Sequence, residues 1–162
     1  MEQVIAAPGT DAEARIRSAL LEHLLAMPPV AALQPHLAEA DDTRVLLTAP
    51  LAANVNDKGC AFGGSLVSLL TLAGWSLVTL RLMREGLEAD VFVAESQVHY
   101  LKPLYTDLHA EARAEDDADW EGFIATLRSR GRARIGILAE APLAEGGIAT
   151  RCHSRYAAIL KG

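Results

Sequence analysis

Charge is missing from a long part of this chain: between Gly59 and Leu80 no residue is Asp, Glu, Lys or Arg. Cysteine is almost missing too. Cys60 and Cys152 stand alone, with no Cys-x-x-Cys and no nearby pair of histidines, so neither a zinc site nor a disulfide framework is expected. Basic residues are the minority, and a formal charge of -6 argues against nucleic acid as the main partner. The first residues, MEQVIAAPGTDAEARIRSALL, lack the basic n-region of a signal peptide, and a reducing cytoplasm is the expected setting. Repeats and low-complexity segments are absent as well. What remains is 162 residues, 51% of them hydrophobic, enough for one domain with a real core.

The uncharged run is long enough to cross a bilayer. Three features argue against that. Ser65, Ser68, Thr71, Ser76 and Thr79 fall within an arc of roughly 140° at about 100° per residue. Gly59, Gly63, Gly64 and Gly74 dilute the hydrophobicity. The rest of the chain reads as a soluble domain built around this element. The run is therefore expected to be a core helix whose small polar stripe meets a cleft or a partner subunit, with no membrane involved.

Around that helix the periodicities give an order of elements. Residues 1–10 read as a loose tail and 11–162 as a single domain. Asp11 is placed to cap a helix reaching about Met27, with Ile16, Leu20, Leu21, Leu24 and Leu25 on its apolar face, and Pro28-Pro29 ends it. A short element precedes a first strand, Arg44 to Leu51. The long helix runs from Ser65 to near Arg84, with Arg81 and Arg84 at its C-terminus and Gly86 beyond it. From Asp90 the period becomes two. Phe92, Ala94, Ser96, Val98 and Tyr100 are assigned to one strand face, and Val91, Val93, Glu95, Gln97, His99 and Leu101 to the other. In DLHAEARAE the residues Leu108, Ala110, Ala112 and Ala114 alternate inward. A helical insert from Asp119 to Gly131, a strand RARIGILAE and a last strand from about Ile148 to Leu160 complete the chain. Helix, strand, buried helix and then four strands predict an α+β fold with a curved antiparallel sheet of about five strands wrapped on the long helix.

Chemistry concentrates in NDKGCAFGGSL, Asn56 to Leu66. A polar turn and a Gly-Gly pair lead straight into the helix, whose N-terminus carries unpaired N–H donors and about half a positive charge. Such a terminus suits an oxyanion or a phosphate. Gly63 and Gly64 are expected to let a carbonyl approach, or simply to turn the chain tightly.

The spacing Asn56-x-x-Gly59-x-x-Phe62-Gly63-Gly64 resembles the Asn-x-x-Gly-x-x-His-Gly-Gly signature of hotdog-fold acyl-CoA thioesterases. Tyr100-Leu101-Lys102-Pro103 followed by Asp107 is similar to their next segment. NDKGCAFGGSL before Ala73-Gly74-Trp75 most resembles the YiiD C-terminal-domain family. The resemblance covers about residues 11–162. It implies a hotdog fold, a homodimer or dimer of dimers with shared sites, and an acyl-CoA or acyl-carrier-protein thioester as substrate. It implies no cofactor beyond the coenzyme A of the substrate. The Gly63 N–H would polarise the carbonyl, and Asn56 would orient thioester or water. Gly64, Ser65 and Thr71 fall along the substrate path.

The carry-over stops at two positions. The signature His is Phe62, and the helix carboxylate, seven residues after the second Gly, is Thr71. Asp57 and Glu95 are the nearest carboxylates by sequence, although a turn residue and a solvated side chain are the plain alternatives. A thioester hydrolase is expected, with a non-hydrolytic acyl-thioester binding module as the alternative. A hydratase would need a His–acid pair that does not match. Arg130, Arg132 and Arg134 are assigned to one strand face, either solvated or holding coenzyme A phosphates.

Overall fold

The computed structural model describes residues 8–162, with side chains from Thr10 onward. The first helix, α1, spans Pro8–Leu25. It starts earlier than expected, because a proline needs no N–H partner in a first turn. Asp11 lies inside that turn, paired with Arg15 at 2.5 Å, and is not the cap. Of the expected tail, residues 8–10 thus belong to α1, and 1–7 lie outside the described residues. After α1 come α2 (Pro28–Ala31), β1 (His36–Ala40), β2 (Arg44–Ala49), α3 (Leu51–Asn54) and α4 (Gly63–Arg84). The chain then continues through β3 (Ala89–Tyr100), β4 (Leu108–Ala114), α5 (Trp120–Arg130), β5 (Arg132–Pro142) and β6 (Ile148–Leu160).

The strands form one antiparallel sheet of six, in the order β1-β2-β4-β5-β6-β3. The sixth strand is β1, a short edge strand that pairs with β2 across the Asp41–Thr43 turn. Asp41 shapes that turn by accepting from the Thr43 hydroxyl and the backbone N–H groups of Thr43 and Arg44, which hold its carboxyl below the ordinary carboxylate value.

The sheet curls around α4, which packs against every strand from β2 to β6. By length and composition α4 is apolar enough to cross a membrane. Here it is the core: Leu69, Leu70, Ala73, Leu77, Val78 and Leu80 are each at most 1% exposed. This is the hotdog arrangement that the sequence resemblance implies. Its ends follow from local rules. Gly86 takes φ 67°, and Leu87 N–H bonds Leu82 O at 2.9 Å, so the last carbonyls are satisfied. Arg84 ties the C-terminal end to α1 and the β1–β2 turn through Glu13, Asp41 O and Asp42. The Arg84 hydrogen bond holds the Glu13 carboxyl below its usual range.

Two face assignments need correction. The β3–β6 register shifts between Val93 and Glu95, so Ala94 is an extra residue and the alternation changes phase there. Val91 pairs with buried Ala158 and Val93 with buried Tyr156; beyond the bulge Ser96 pairs with buried Ser154 and Val98 with buried Cys152. Phe92 therefore lies on the outer face, not with Ser96 and Val98. The small polar stripe also divides. Ser76 is fully buried, its hydroxyl without a partner among the described residues, whereas Ser68 is exposed and Thr71 and Thr79 are half-buried.

One contact sets how closely the sheet approaches the helix. A Cβ at Gly74 would lie 2.8 Å from Tyr156 Cζ. The Tyr156 hydroxyl donates to Thr71 O at 2.7 Å, and burial keeps that phenol protonated by raising its pKa far above the ordinary value. Gly74→Ala should cost about 1–3 kcal/mol through overpacking, read as a lower thermal midpoint. Tyr156→Phe removes the clashing oxygen, so it should recover part of that loss in the Gly74→Ala background while being destabilising alone.

Candidate functional site

The turn ahead of α4 is a closed loop. Val55 bridges Ala61, Asn56 N–H bonds Cys60 O at 2.8 Å, and Gly59 turns the chain with φ 81°. The Asn56 side chain holds the interior of this loop. Its Oδ1 accepts from Lys58 N–H at 2.8 Å and Cys60 N–H at 3.2 Å, while Nδ2 approaches Cys60 Sγ at 3.2 Å. Asn56 thus shapes the loop, a different use of the amide from orienting a reacting group. The loop is fastened from outside as well. Ala61 N–H bonds Leu104 O and Phe62 N–H bonds Asn54 O, both at 2.7 Å. Asp107 accepts from Leu51 N–H at 2.9 Å, which explains why an aspartate begins the segment after Pro103.

Helix α4 starts at Gly63 with no side-chain cap. Its first backbone bond is Leu66 N–H to Phe62 O, 3.0 Å. The N–H groups of Gly63, Gly64 and Ser65 precede that bond, and among the described residues none has a hydrogen-bond acceptor. This is the donor cluster that the motif predicts. Both glycines lie against aromatic rings. A Cβ at Gly63 would sit 3.3 Å from the Tyr100 ring, and one at Gly64 would sit 2.9 Å from Phe62 Cζ. Tyr100 also donates from its hydroxyl to Gly63 O at 3.2 Å. Phe62, Tyr100, Leu101 and Tyr105 are all more than half exposed, so a wet helix terminus is bordered by apolar surface.

The other candidates disperse. Asp57 sits at the tip of the same loop, exposed and paired with Lys58 Nζ at 2.8 Å. Ser65 is buried in the first turn. Thr71 is two turns further along α4, half-buried beside a cleft shared with α1 and β3. Glu95 is five residues before Tyr100 on β3, about 16 Å along a strand, and pairs with Arg155 on the face away from α4. The protomer does not bring Glu95 to Gly63.

The three arginines do not share a strand face. Arg130 closes α5, and Gly131 reverses the chain at φ 72° before β5 begins; only Arg132 and Arg134 alternate together. None of the three has an ion pair or hydrogen bond among the described residues. Arg134 lines an outer cleft of about 790 Å³ together with Arg155 and the carboxylates of Glu95, Glu115, Asp117 and Asp119. That cleft also holds a pair invisible in the sequence, Glu115 to His153 Nδ1 at 2.6 Å. Its two members are 38 residues apart in sequence, and only the β4–β5–β6 pairing brings them together. The absence of a side chain at Gly136 makes room for Glu115. Among the described residues no group of three or more His, Cys, Asp or Glu side chains is arranged to hold a metal ion.

Comparison with known proteins finds similar chains. The profile of the family described as "Putative thioesterase (yiiD_Cterm)" matches residues 19–159. A protein of unknown function from Chlorobaculum tepidum is 26% identical, with 94% of this chain and 96% of that one covered at a TM-score of 0.82. A structure from Shewanella oneidensis named a "putative thioesterase" is 22% identical over 90% and 99% of the two chains, TM-score 0.79. Another, from Pseudomonas aeruginosa and named a "probable thioesterase", is 19% identical over 96% and 97%, TM-score 0.74.

The loop geometry yields a direct test. Asn56→Ala removes an acceptor for two backbone N–H groups, at roughly 1–2 kcal/mol for the pair, and should lower the urea midpoint. Asn56→Asp keeps the acceptor and should retain most of the stability.

Proposed function

We infer that this chain, which belongs to the YiiD C-terminal-domain thioesterase family, hydrolyses an acyl thioester of coenzyme A or an acyl-carrier protein, in the cytoplasm and without a further cofactor. The observation that carries this reading is the uncapped α4 N-terminus, where three N–H groups without acceptors among the described residues stand beside an exposed apolar rim. Water attack on a thioester carbonyl places negative charge on its oxygen. The Gly63 N–H, backed by the helix dipole, is oriented in advance for that charge. The tetrahedral intermediate then collapses by breaking the C–S bond, and the thiolate leaves. Asn56 acts by holding the loop that presents these donors. Asp57, the carboxylate of that same loop, is assigned to take the proton from the attacking water. Arg130 and Arg132, whose side chains have no partner among the described residues and which stand apart from the carboxylate-rich outer cleft, are assigned to the phosphates of the carrier.

A second reading has a specific observation in its favour. Thr71 and Phe62 replace the carboxylate and the imidazole that related enzymes keep, so the same cradle would bind an acyl thioester without cleaving it.

The shared-site dimer is part of this proposal. Strand β3 is an edge of 12 residues whose outer side has no partner among the described residues, and Phe92 and Val93 on it are about half exposed. An apolar unpaired edge of that length calls for cover, and a second copy of β3 supplies it.

Two measurements follow. Asp57→Asn and Glu95→Gln each delete one charge with little change of shape. Thiol release from a panel of acyl-CoAs should fall at least about 100-fold in Asp57→Asn, the range of general base loss, and stay near wild type in Glu95→Gln. A wild type that binds acyl-CoAs but releases no thiol establishes the binding-module reading. Light scattering at micromolar concentration should give the mass of two protomers, or of four for a dimer of dimers; a monomer mass removes the shared site.

A further inference from the structure

The outer cleft, within the size range of small-molecule sites at about 790 Å³, lies on the face of the sheet turned away from α4. His153 and Arg155 alternate with the buried Cys152, Ser154 and Tyr156 along β6, so they reach that face together. The bulge at Ala94 brings Glu95 there too, directly opposite Arg155 in the β3–β6 ladder. The turn between β4 and α5 supplies Asp117 and Asp119, and the first turns of α5 form a wall. The floor is low at Gly136, opposite Arg155, where a Cβ would stand 3.1 Å from Glu115 Cγ. Glu115 thereby passes over β5 to hold His153 Nδ1, which leaves Nε2 as the second polar atom of a ring that lines the cleft.

Charge pairing on this face is uneven. Arg44, Arg113 and Arg151 each hold a carboxylate, those of Glu111, Asp116 and Glu140. Arg134 and Arg155, which line the cleft, have neither an ion pair nor a hydrogen bond among the described residues. Glu95 is within reach of Arg155, since directly opposite Cβ atoms lie about 4.5–5.5 Å apart, yet no ion pair joins them. The carboxylates divide in the same way. Glu115 is committed to His153, and Asp119 to Gly122 N–H at the start of α5. Glu95 and Asp117 have no partner among the described residues. Two guanidiniums and two carboxylates thus remain uncommitted, and their charges cancel. An anion alone would be repelled by Glu95 and Asp117, and a cation alone by Arg134 and Arg155. A ligand carrying both signs satisfies both sets. Arg134 and Arg155 are diagonal neighbours on β5 and β6, about 7–8 Å apart, with only Gly136 and Ala157 opposite them, so both forks can reach one carboxylate.

We propose that the outer cleft is a second ligand site, one for a small zwitterion such as a free amino acid, with its carboxylate between Arg134 and Arg155 and its ammonium at Glu95. Asp117 offsets the remaining positive charge from the far side of the cleft, and His153, positioned by Glu115, borders the bound molecule. This site is on the opposite face of the sheet from the α4 N-terminus and does not depend on the thioester reading. Glu95 comes from the face of β3, so a second copy paired along the edge of that strand would extend the floor of the cleft without filling it.

The test titrates the full chain, in the assembly it forms in solution, with glycine, β-alanine, γ-aminobutyrate and ε-aminocaproate. Acetate and ethylammonium are the singly charged controls. Binding is read from the imidazole NMR signals of His153, assigned by their loss in His153→Gln. At least one zwitterion should shift them, with an affinity about tenfold or more above that of either control. Arg134→Gln, Arg155→Gln and Glu95→Gln should each weaken that affinity by about tenfold, the scale of one hydrogen bond to a charged group. Arg155→Lys keeps the charge without the fork and should fall between wild type and Arg155→Gln. A response equal for zwitterions and acetate, no response at tens of millimolar, or an affinity unmoved in folded Arg155→Gln and Glu95→Gln overturns the proposal.

Discussion

A helix without charge from end to core must be covered, and everything else in this protein follows from how α4 is covered. Water is excluded from most of its circumference by five strands, and the sheet has to curl to reach that far around. The closeness of the fit is fixed where Tyr156 of β6 passes over Gly74 and bonds the Thr71 carbonyl. A larger residue at Gly74 would lift β6, and with it the neighbouring β3 and the Tyr100 ring that rests on Gly63. Core packing and the geometry of the donor site are in this sense one problem.

Much of this was readable in the amino-acid order, for physical reasons that differ by element. The extent of α4 shows as missing charge, its end as Gly86, and the stop of α5 as Gly131, because a positive φ leaves few residues to choose from. The start of α5 shows as Asp119, whose carboxylate does accept from Gly122 N–H. Strand β4 shows because one of its faces is solvated. By contrast, β1 offers five residues with one leucine, too short a pattern for alternation to register. The bulge at Ala94 hides because both phases of β3 contain apolar residues. Arg130, Arg132 and Arg134 look periodic in sequence only because the helix-to-strand reversal at Gly131 is counted as strand.

The geometry of the candidate site was legible in part. The Gly63–Gly64 terminus stands where the motif puts it, with its donors without acceptors. What sequence could not show is that both glycines are roofed by aromatic rings, since Tyr100 arrives from 37 residues away. Nor could it place Asp57 and Glu95 relative to the terminus: Asp57 stands at the tip of the loop before α4, whereas the face Glu95 takes on β3 depends on a bulge. The Glu115–His153 pair has no local signal at all, and pairing of three strands creates it.

The extra residue at Ala94 also constrains symmetry. In the dimer proposed above, a two-fold axis relating two β3 strands would map each bulge onto a position on its mate. If the axis crosses the strand near Ala94, the two irregularities meet and the ladder is interrupted once, at its centre. Anywhere else, each copy breaks the ladder separately, and a stretch between the breaks pairs out of phase with the flanks. A long edge that would otherwise accept a neighbour in many sliding registers is thereby biased to one, and the same misfit disfavours endless addition of further strands.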